Sequence, residues 1–249
     1  MTDDAWIRNY HPAPDAGIRL VCFPHAGGAA GYWFPLSAAL TPGIEVLSVQ
    51  YPGRHDRLRE QPFTDLHLLA DHVADALSPW TDRPYALLGH SYGAVVAYEV
   101  ARRLGQDGTT RAPLALFASG RRAPSTHRDE RLHLAPDHRL VAELRALNGT
   151  ANPALDDEEI LAMVLPALRA DYQAVETYIH HPGPRLDIPV TALVGDTDPK
   201  VTLAEAGQWS DHTTAGFLLE VFGGGHFYLA DHQEAVIRIL RDRLNAHVR

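Results

Sequence analysis

A pentapeptide near residue 90 constrains the fold of this chain more than any other feature. Residues 85–88 form a short apolar run, Gly89-His90-Ser91-Tyr92-Gly93 fits G-x-S-x-G, and residues 94–104 read as a helix that closes at Gly105. A strand entering and a helix leaving such a motif is the context of a nucleophile elbow. The turn must be very sharp for the serine hydroxyl to stand clear of the sheet. Gly89 and Gly93 keep the neighbouring backbone free of Cβ clashes. A helix starting at Tyr92 aims its first N–H groups at any negative charge that develops beside Ser91.

The rest of the chain repeats the same alternation. Arg19–Phe23 is an apolar run ending at Pro24, and residues 31–40 read as a helix. Residues 44–50 form a second strand, stopped by Tyr51-Pro52-Gly53. Leu66, Leu69, Ala70, Val73 and Leu77 then share one helical face, with Thr64 as the expected N-cap. Further strands are expected at 114–119, 188–194 and Phe217–Phe222, and the C-terminal helix carries Val236, Ile237, Leu240 and Leu244 on one side. Repeated βα units predict one α/β domain: a mostly parallel sheet with helices on both faces. About 70 residues between the strands at 114–119 and 188–194 lack a strand pattern. Helices are expected there at 137–147, 157–165 and 167–179. The stretch at about 121–180 is therefore expected to be a mobile helical lid inserted in the domain.

A nucleophilic serine needs a base and a group to orient that base. Gly195-Asp196-Thr197-Asp198-Pro199 follows the fifth main strand and Gly223-Gly224-Gly225-His226 the sixth, both at strand ends where α/β sites are built. The order Ser91, Asp198, His226 matches the Ser–acid–His order of this architecture. Either Asp196 or Asp198 is placed to orient the imidazole while the other caps the helix near Thr202. Asp198 is preferred because it leads into Pro199. His25-Ala26-Gly27-Gly28 follows the first strand, and the Ala26 N–H is the candidate second oxyanion donor beside the Tyr92 amide. A dinucleotide loop is the rival reading. However, glycines at 27, 28 and 31 do not make G-x-G-x-x-G, and the next strand ends without an acid for a ribose.

Composition removes other classes. The net charge is −9, a poor match to a phosphate backbone. Lys200 is the only lysine, so there is no Walker A loop. Cys22 is the sole cysteine, which excludes an internal disulfide and Cys-rich metal sites, and it is expected to be an inert core thiol. His180-His181 and the His226/His232 pair lack the carboxylate or H-E-x-x-H context of a metal site. No run approaches the roughly 18 apolar residues of a membrane span and no secretory leader is evident. The expectation is a cytoplasmic protein with no cofactor, no metal, no nucleic acid and no membrane partner.

Phe23-Pro24-His25-Ala26-Gly27-Gly28, Tyr51-Pro52-Gly53-Arg54, the Ser91 elbow with Ala94, the run from Leu165-Pro166 to Asp171-Tyr172, and Gly225-His226-Phe227 together resemble the type II thioesterases, stand-alone editing hydrolases of polyketide and non-ribosomal peptide assembly lines. The matches run from about residue 20 to 230. The resemblance implies an α/β-hydrolase fold with a mobile helical lid. It implies Ser91 as nucleophile, His226 as base, Asp198 as orienting acid, and the Ala26 and Tyr92 amides as oxyanion hole. It also implies an acyl group carried on the phosphopantetheine arm of an acyl or peptidyl carrier protein. One departure stands out: the family most often has Met after the nucleophile, whereas this chain has Tyr92, a bulkier polar ring expected to reshape the acyl pocket.

Two other readings compete. One is an oxygen-ester hydrolase or a cyclising thioesterase domain; a start at Met1 with no upstream carrier segment leads instead to the expectation of a stand-alone enzyme. The other is a non-catalytic binding protein on a hydrolase scaffold, although no triad member is missing. Arg121, Arg122, Arg128 and Arg131 fall within eleven residues and are expected either to dock an acidic carrier or to be neutralised by Asp129 and Glu130.

Overall fold

The computed structural model describes residues 5–105, 111–148 and 157–245. In chain order the elements are β1 (Ile7–Arg8), β2 (Arg19–Phe23), α1 (Phe34–Leu40), β3 (Glu45–Val49), α2 (Leu66–Leu77), β4 (Tyr85–His90), α3 (Tyr92–Arg103), β5 (Leu116–Ser119), α4 (Asp137–Asn148), α5 (Glu158–Glu176), β6 (Val190–Gly195), α6 (Leu203–Gly207), β7 (Phe217–Phe222) and α7 (Gln233–Asn245). The seven strands make one sheet in the order β1-β3-β2-β4-β5-β6-β7. All neighbours pair in parallel except β1 with β3.

The inner strands are buried along their whole length because the sheet is covered on both faces. Successive residues still point opposite ways. Val21 and Phe23 pack with α2 and α3, through Leu69, Val73, Val96 and Val100. Leu20 and Cys22 pack on the other face with Leu36 and Leu40 of α1 and Val236, Leu240 and Leu244 of α7. Each such side chain withdrawn from water contributes roughly 1.5–3 kcal/mol. Cys22 is fully buried, and burial pushes its thiol well above the ordinary range. Among the described residues no helix is long and apolar enough to cross a membrane.

The structure departs from the sequence reading at several ends. The antiparallel edge strand β1 is only two residues long, too short to leave an alternating pattern. Asp65, not Thr64, caps α2, accepting from the His67 and Leu68 amides. The expected helix at 31–40 is a 3-10 turn followed by α1, whose early Pro35 loses no intrahelical bond. The helices expected at 157–165 and 167–179 are one helix, α5, running through Pro166. Burial of Ala167, Leu168, Asp171 and Tyr172 beyond the proline offsets the lost backbone bond. The cap of α6 is neither Asp196 nor Asp198 but Thr202, in a capping box with Glu205.

Register decides where chemistry gathers. Phe23 pairs with Gly89 and His90 with Ser119, so β2, β4 and β5 end at one level. The chain turns from β2 outward to β3, then returns to β4 on the other side. That reversal is the switch point at which α/β sheets open a crevice.

Candidate active site

Ser91 sits between β4 and α3 with φ 56° and ψ −118°. A non-glycine residue holds this strained geometry only where its surroundings enforce it. Its N–H donates to Ser119 O at 2.7 Å and its carbonyl accepts from Ala94 N at 3.0 Å. A Cβ on Gly89 would stand 2.2 Å from Gly93 O, and one on Gly93 2.2 Å from Phe23 O, so both positions must be glycine for the elbow to close. Ser91 is partly exposed, and Tyr92 opens α3 with an N–H that has no partner inside the helix.

His226 lies in the loop after β7 and is buried. Its Nδ1 donates to Asp198 Oδ2 at 2.8 Å and Oδ1 at 3.0 Å. Asp198 Oδ1 also accepts from Lys200 N at 2.8 Å, which fixes the carboxylate. Asp196 is exposed and instead accepts from Gly224 N at 2.8 Å, tying the β6 loop to the glycine run before His226. The two aspartates thus have separate partners. With Nδ1 donating to Asp198, the Nε2 lone pair is the imidazole's basic site. No hydrogen bond joins Ser91 to His226 among the described residues, a looseness common before substrate binds.

The loop after β2 is pinned more firmly than its glycines suggest. His25 Nδ1 donates to Ala26 O at 2.9 Å. Burial pulls its imidazole down to about 4, against the raising effect of that bond, so the ring is neutral. Gly27 N donates to Asp171 Oδ2 at 2.8 Å, and Gly28 N to His25 O at 2.9 Å. Both sides of the Ala26–Gly27 peptide are therefore held, and the Ala26 N–H keeps no partner among the described residues. Asp171 lies on α5, 144 residues from Gly27. It also takes two bonds from Arg54, at 2.7 and 2.9 Å, while Arg54 donates to Gly28 O at 3.0 Å. The pair is 6% and 2% exposed. Sequence reasoning gave these residues no role, although an aspartate among Ala167, Leu168, Ala174 and Val175 on one helical face was a visible signal. A second missed feature backs the elbow: His90 Nδ1 bonds Ser119 Oγ at 2.9 Å, and Ser119 Oγ bonds Tyr228 OH at 2.6 Å.

Through Asp171, the second half of α5 is bonded to the loop over the site. Asp171→Asn leaves the buried guanidinium without its counter-charge. It is expected to cost about 3 kcal/mol, or roughly 6–12 °C in Tm, and to lower kcat on the order of tenfold with KM little changed. The double variant Arg54→Met/Asp171→Leu is expected to regain stability but not kcat, since the Gly27 amide stays unanchored. Thermal melts and steady-state kinetics on both variants check this, and recovery of kcat in the double variant would refute a positioning role.

The Tyr92 ring does not project into the site. It is 1% exposed, edge-on to Tyr51 with centroids 5.7 Å apart. Three of the four arginines expected to dock a carrier are ion-paired within the chain. Arg122 is buried and bonds Glu130 at 2.9 Å, Arg128 is ion-paired with Glu205, and Arg131 bonds Asp129 at 2.7 Å. The Arg131–Asp129 pair lies on the surface, with Arg131 70% exposed, and Arg121 has no ion-pair partner among the described residues.

Comparison with known proteins places this geometry. The thioesterase domain family model matches residues 18–244. A probable cadicidin biosynthesis thioesterase of Streptomyces griseus is 53% identical over 231 residues, covering 93% of this chain; the chain spans 63% of that protein's length. Thioesterase PikA5 of Streptomyces venezuelae is 49% identical over 240 residues, 96% of this chain and 85% of that protein. Among solved structures, the type II thioesterase BorB from the borrelidin biosynthetic cluster is 47% identical, with a TM-score of 0.91 over 98% of this chain and 99% of that one.

Proposed function

The chain belongs to the thioesterase domain family, and from that premise we propose that it hydrolyses acyl groups from the phosphopantetheine thiol of carrier proteins, clearing stalled or misprimed units from a polyketide or non-ribosomal peptide assembly line. The observation that carries the reading is the 2.8 Å bond from His226 to Asp198, beside a serine held at a strained elbow. The similar proteins of cadicidin and borrelidin biosynthesis support the pathway class.

In the proposed reaction Ser91 Oγ attacks the thioester carbonyl carbon while His226 Nε2 takes the hydroxyl proton. Asp198 stabilises the imidazolium through Nδ1. The carbonyl oxygen becomes an oxyanion and accepts from the Ala26 and Tyr92 amides. As the tetrahedral intermediate collapses, the C–S bond breaks and His226 protonates the leaving sulfur. Water then attacks the acyl-serine, giving its proton to His226. The C–O bond to Ser91 breaks, the serine oxygen regains a proton, and the free acid departs. The residues supply every proton transfer.

Matched S-acyl-N-acetylcysteamine thioesters and oxygen esters separate this reading from an oxygen-ester hydrolase. Faster kcat/KM on the thioester is expected, and a clear preference for the oxygen ester would overturn it. A fluorophosphonate is expected to label Ser91; no adduct would favour a binding protein on a hydrolase scaffold.

A further inference from the structure

Among the described residues, Arg121 is the one arginine of its segment without an ion-paired carboxylate. The three that follow it in the segment, Arg122, Arg128 and Arg131, each hold one. Glu130, the nearest acid in charge terms, is already shared by Arg122 at 2.9 Å and Lys200 at 3.3 Å. The Arg121 backbone is fixed, because Trp209 Nε1 donates to its carbonyl at 2.9 Å. Arg121 is partly buried and lines a cavity of about 280 Å³. A guanidinium drawn out of water with no counter-ion is costly unless a ligand supplies one.

The cavity suits an anion. Arg121, Arg122, His127 and His180 line it with Ser125, and no lining residue is acidic. Behind Ser125 runs a hydrogen-bonded chain that extends into the core. Ser125 Oγ meets His212 Nε2 at 2.9 Å, His212 Nδ1 meets Tyr98 OH at 3.2 Å, and Tyr98 OH meets His180 Nε2 at 3.2 Å. His212 is buried, and burial, with the charge of His180 adding, pulls its imidazole down to about 4. The ring is neutral and can donate from only one nitrogen. When His212 Nε2–H donates to Ser125 Oγ, Tyr98 donates to His212 Nδ1 and His180 Nε2–H donates to Tyr98. In that direction the Ser125 hydroxyl proton is released toward the cavity. An anion beside Arg121 selects that direction.

Two residues that line the cavity, Val95 and Arg121, lie close in the chain to the reaction centre, Val95 four residues after Ser91 on α3. Gly120 precedes Arg121, and a Cβ on it would stand 3.4 Å from His226 Cε1. His90 and Ser119 are register partners, so Ser91 and Arg121 lie one strand apart, with Cα atoms on the order of 10 Å from each other. That separation matches the length of a short acyl chain.

We propose that this cavity is a carboxylate subsite, in which the Arg121 guanidinium and the Ser125 hydroxyl hold the terminal carboxylate of a short dicarboxylic acyl group whose thioester end is at Ser91. The proposal rests on the thioesterase reading of the site. It makes the enzyme selective for acyl groups ending in a carboxylate over chains of equal length ending in methyl.

The test compares S-glutaryl- and S-pentanoyl-N-acetylcysteamine on wild type, Arg121→Gln, Arg121→Lys and Ser125→Ala. Arg121→Gln is expected to lower the glutaryl-to-pentanoyl ratio of kcat/KM roughly tenfold or more, mainly through KM. Arg121→Lys is expected to keep part of the ratio, because it keeps the charge and loses the fork. Ser125→Ala lowers it less, in the same direction. Free glutarate is expected to raise the Tm of wild type and not of Arg121→Gln. Pentanoyl turnover with an unchanged ratio in every variant would overturn the subsite and leave the thioesterase reading standing. Failure of wild type to cleave either thioester, with glutarate still raising its Tm, would overturn the thioesterase reading and leave the anion site.

Discussion

Ser91→Ala is expected to fold as wild type does and to lose turnover by a factor on the order of 10⁴ to 10⁶. The substitution removes one oxygen and keeps the Cβ, so the backbone at φ 56° meets the same steric demands as before. Neither backbone bond of Ser91 uses its hydroxyl, so the elbow is unaffected. The loss is chemical: without Oγ no acyl-enzyme forms, and the oxyanion donors act only on direct attack by water. His226→Ala is expected to cost a comparable factor, and the double variant little more than either alone, because the nucleophile and its base act as one unit. Intact-mass analysis after incubation with an acyl thioester gives an independent readout: an acyl adduct on wild type and none on Ser91→Ala. Near-wild-type turnover in Ser91→Ala would sink the assignment.

The second large effect separates two aspartates that stand two residues apart. Asp198→Asn is expected to reduce kcat on the order of 10⁴-fold. An amide at 198 presents an NH₂ group to His226 Nδ1, which favours the tautomer with its proton on Nε2. That nitrogen then has no lone pair with which to take the Ser91 proton. Asp196→Asn is expected to change kcat less than about threefold, since an amide oxygen still accepts from Gly224 N and no imidazole is involved. The reverse ranking of the two variants would move the orienting acid to Asp196.

Much of the scaffold was legible because its signals are local. Arg19–Phe23 and Phe217–Phe222 were delimited by apolar content and flanking turn residues, and both strands have those bounds. The Ser91 elbow was legible because steric need writes itself into neighbouring residues: two glycines, a strand before and a helix after. Misreadings came where a distant contact outweighed a local preference. Pro166 reads as a helix boundary, yet α5 runs through it because the residues beyond it are buried against the body. Four clustered arginines read as a basic patch, yet Glu205 reaches Arg128 from 77 residues away.

The sequence by itself determined the six parallel strands, the elbow and the set of candidate residues, since period, turn chemistry and strand ends all act over a few residues. Only the tertiary structure decided which of them meet. Asp198 and not Asp196 bonds His226, across 28 residues. Asp171 reaches Arg54 across 117 residues and Gly27 across 144. Among the described residues, Arg121 alone of its neighbouring arginines has no ion-paired carboxylate. Each of these outcomes depends on which buried charge finds a partner. The cost of leaving a charge unpaired out of water is set by the whole packed interior, and no stretch of sequence encodes that alone.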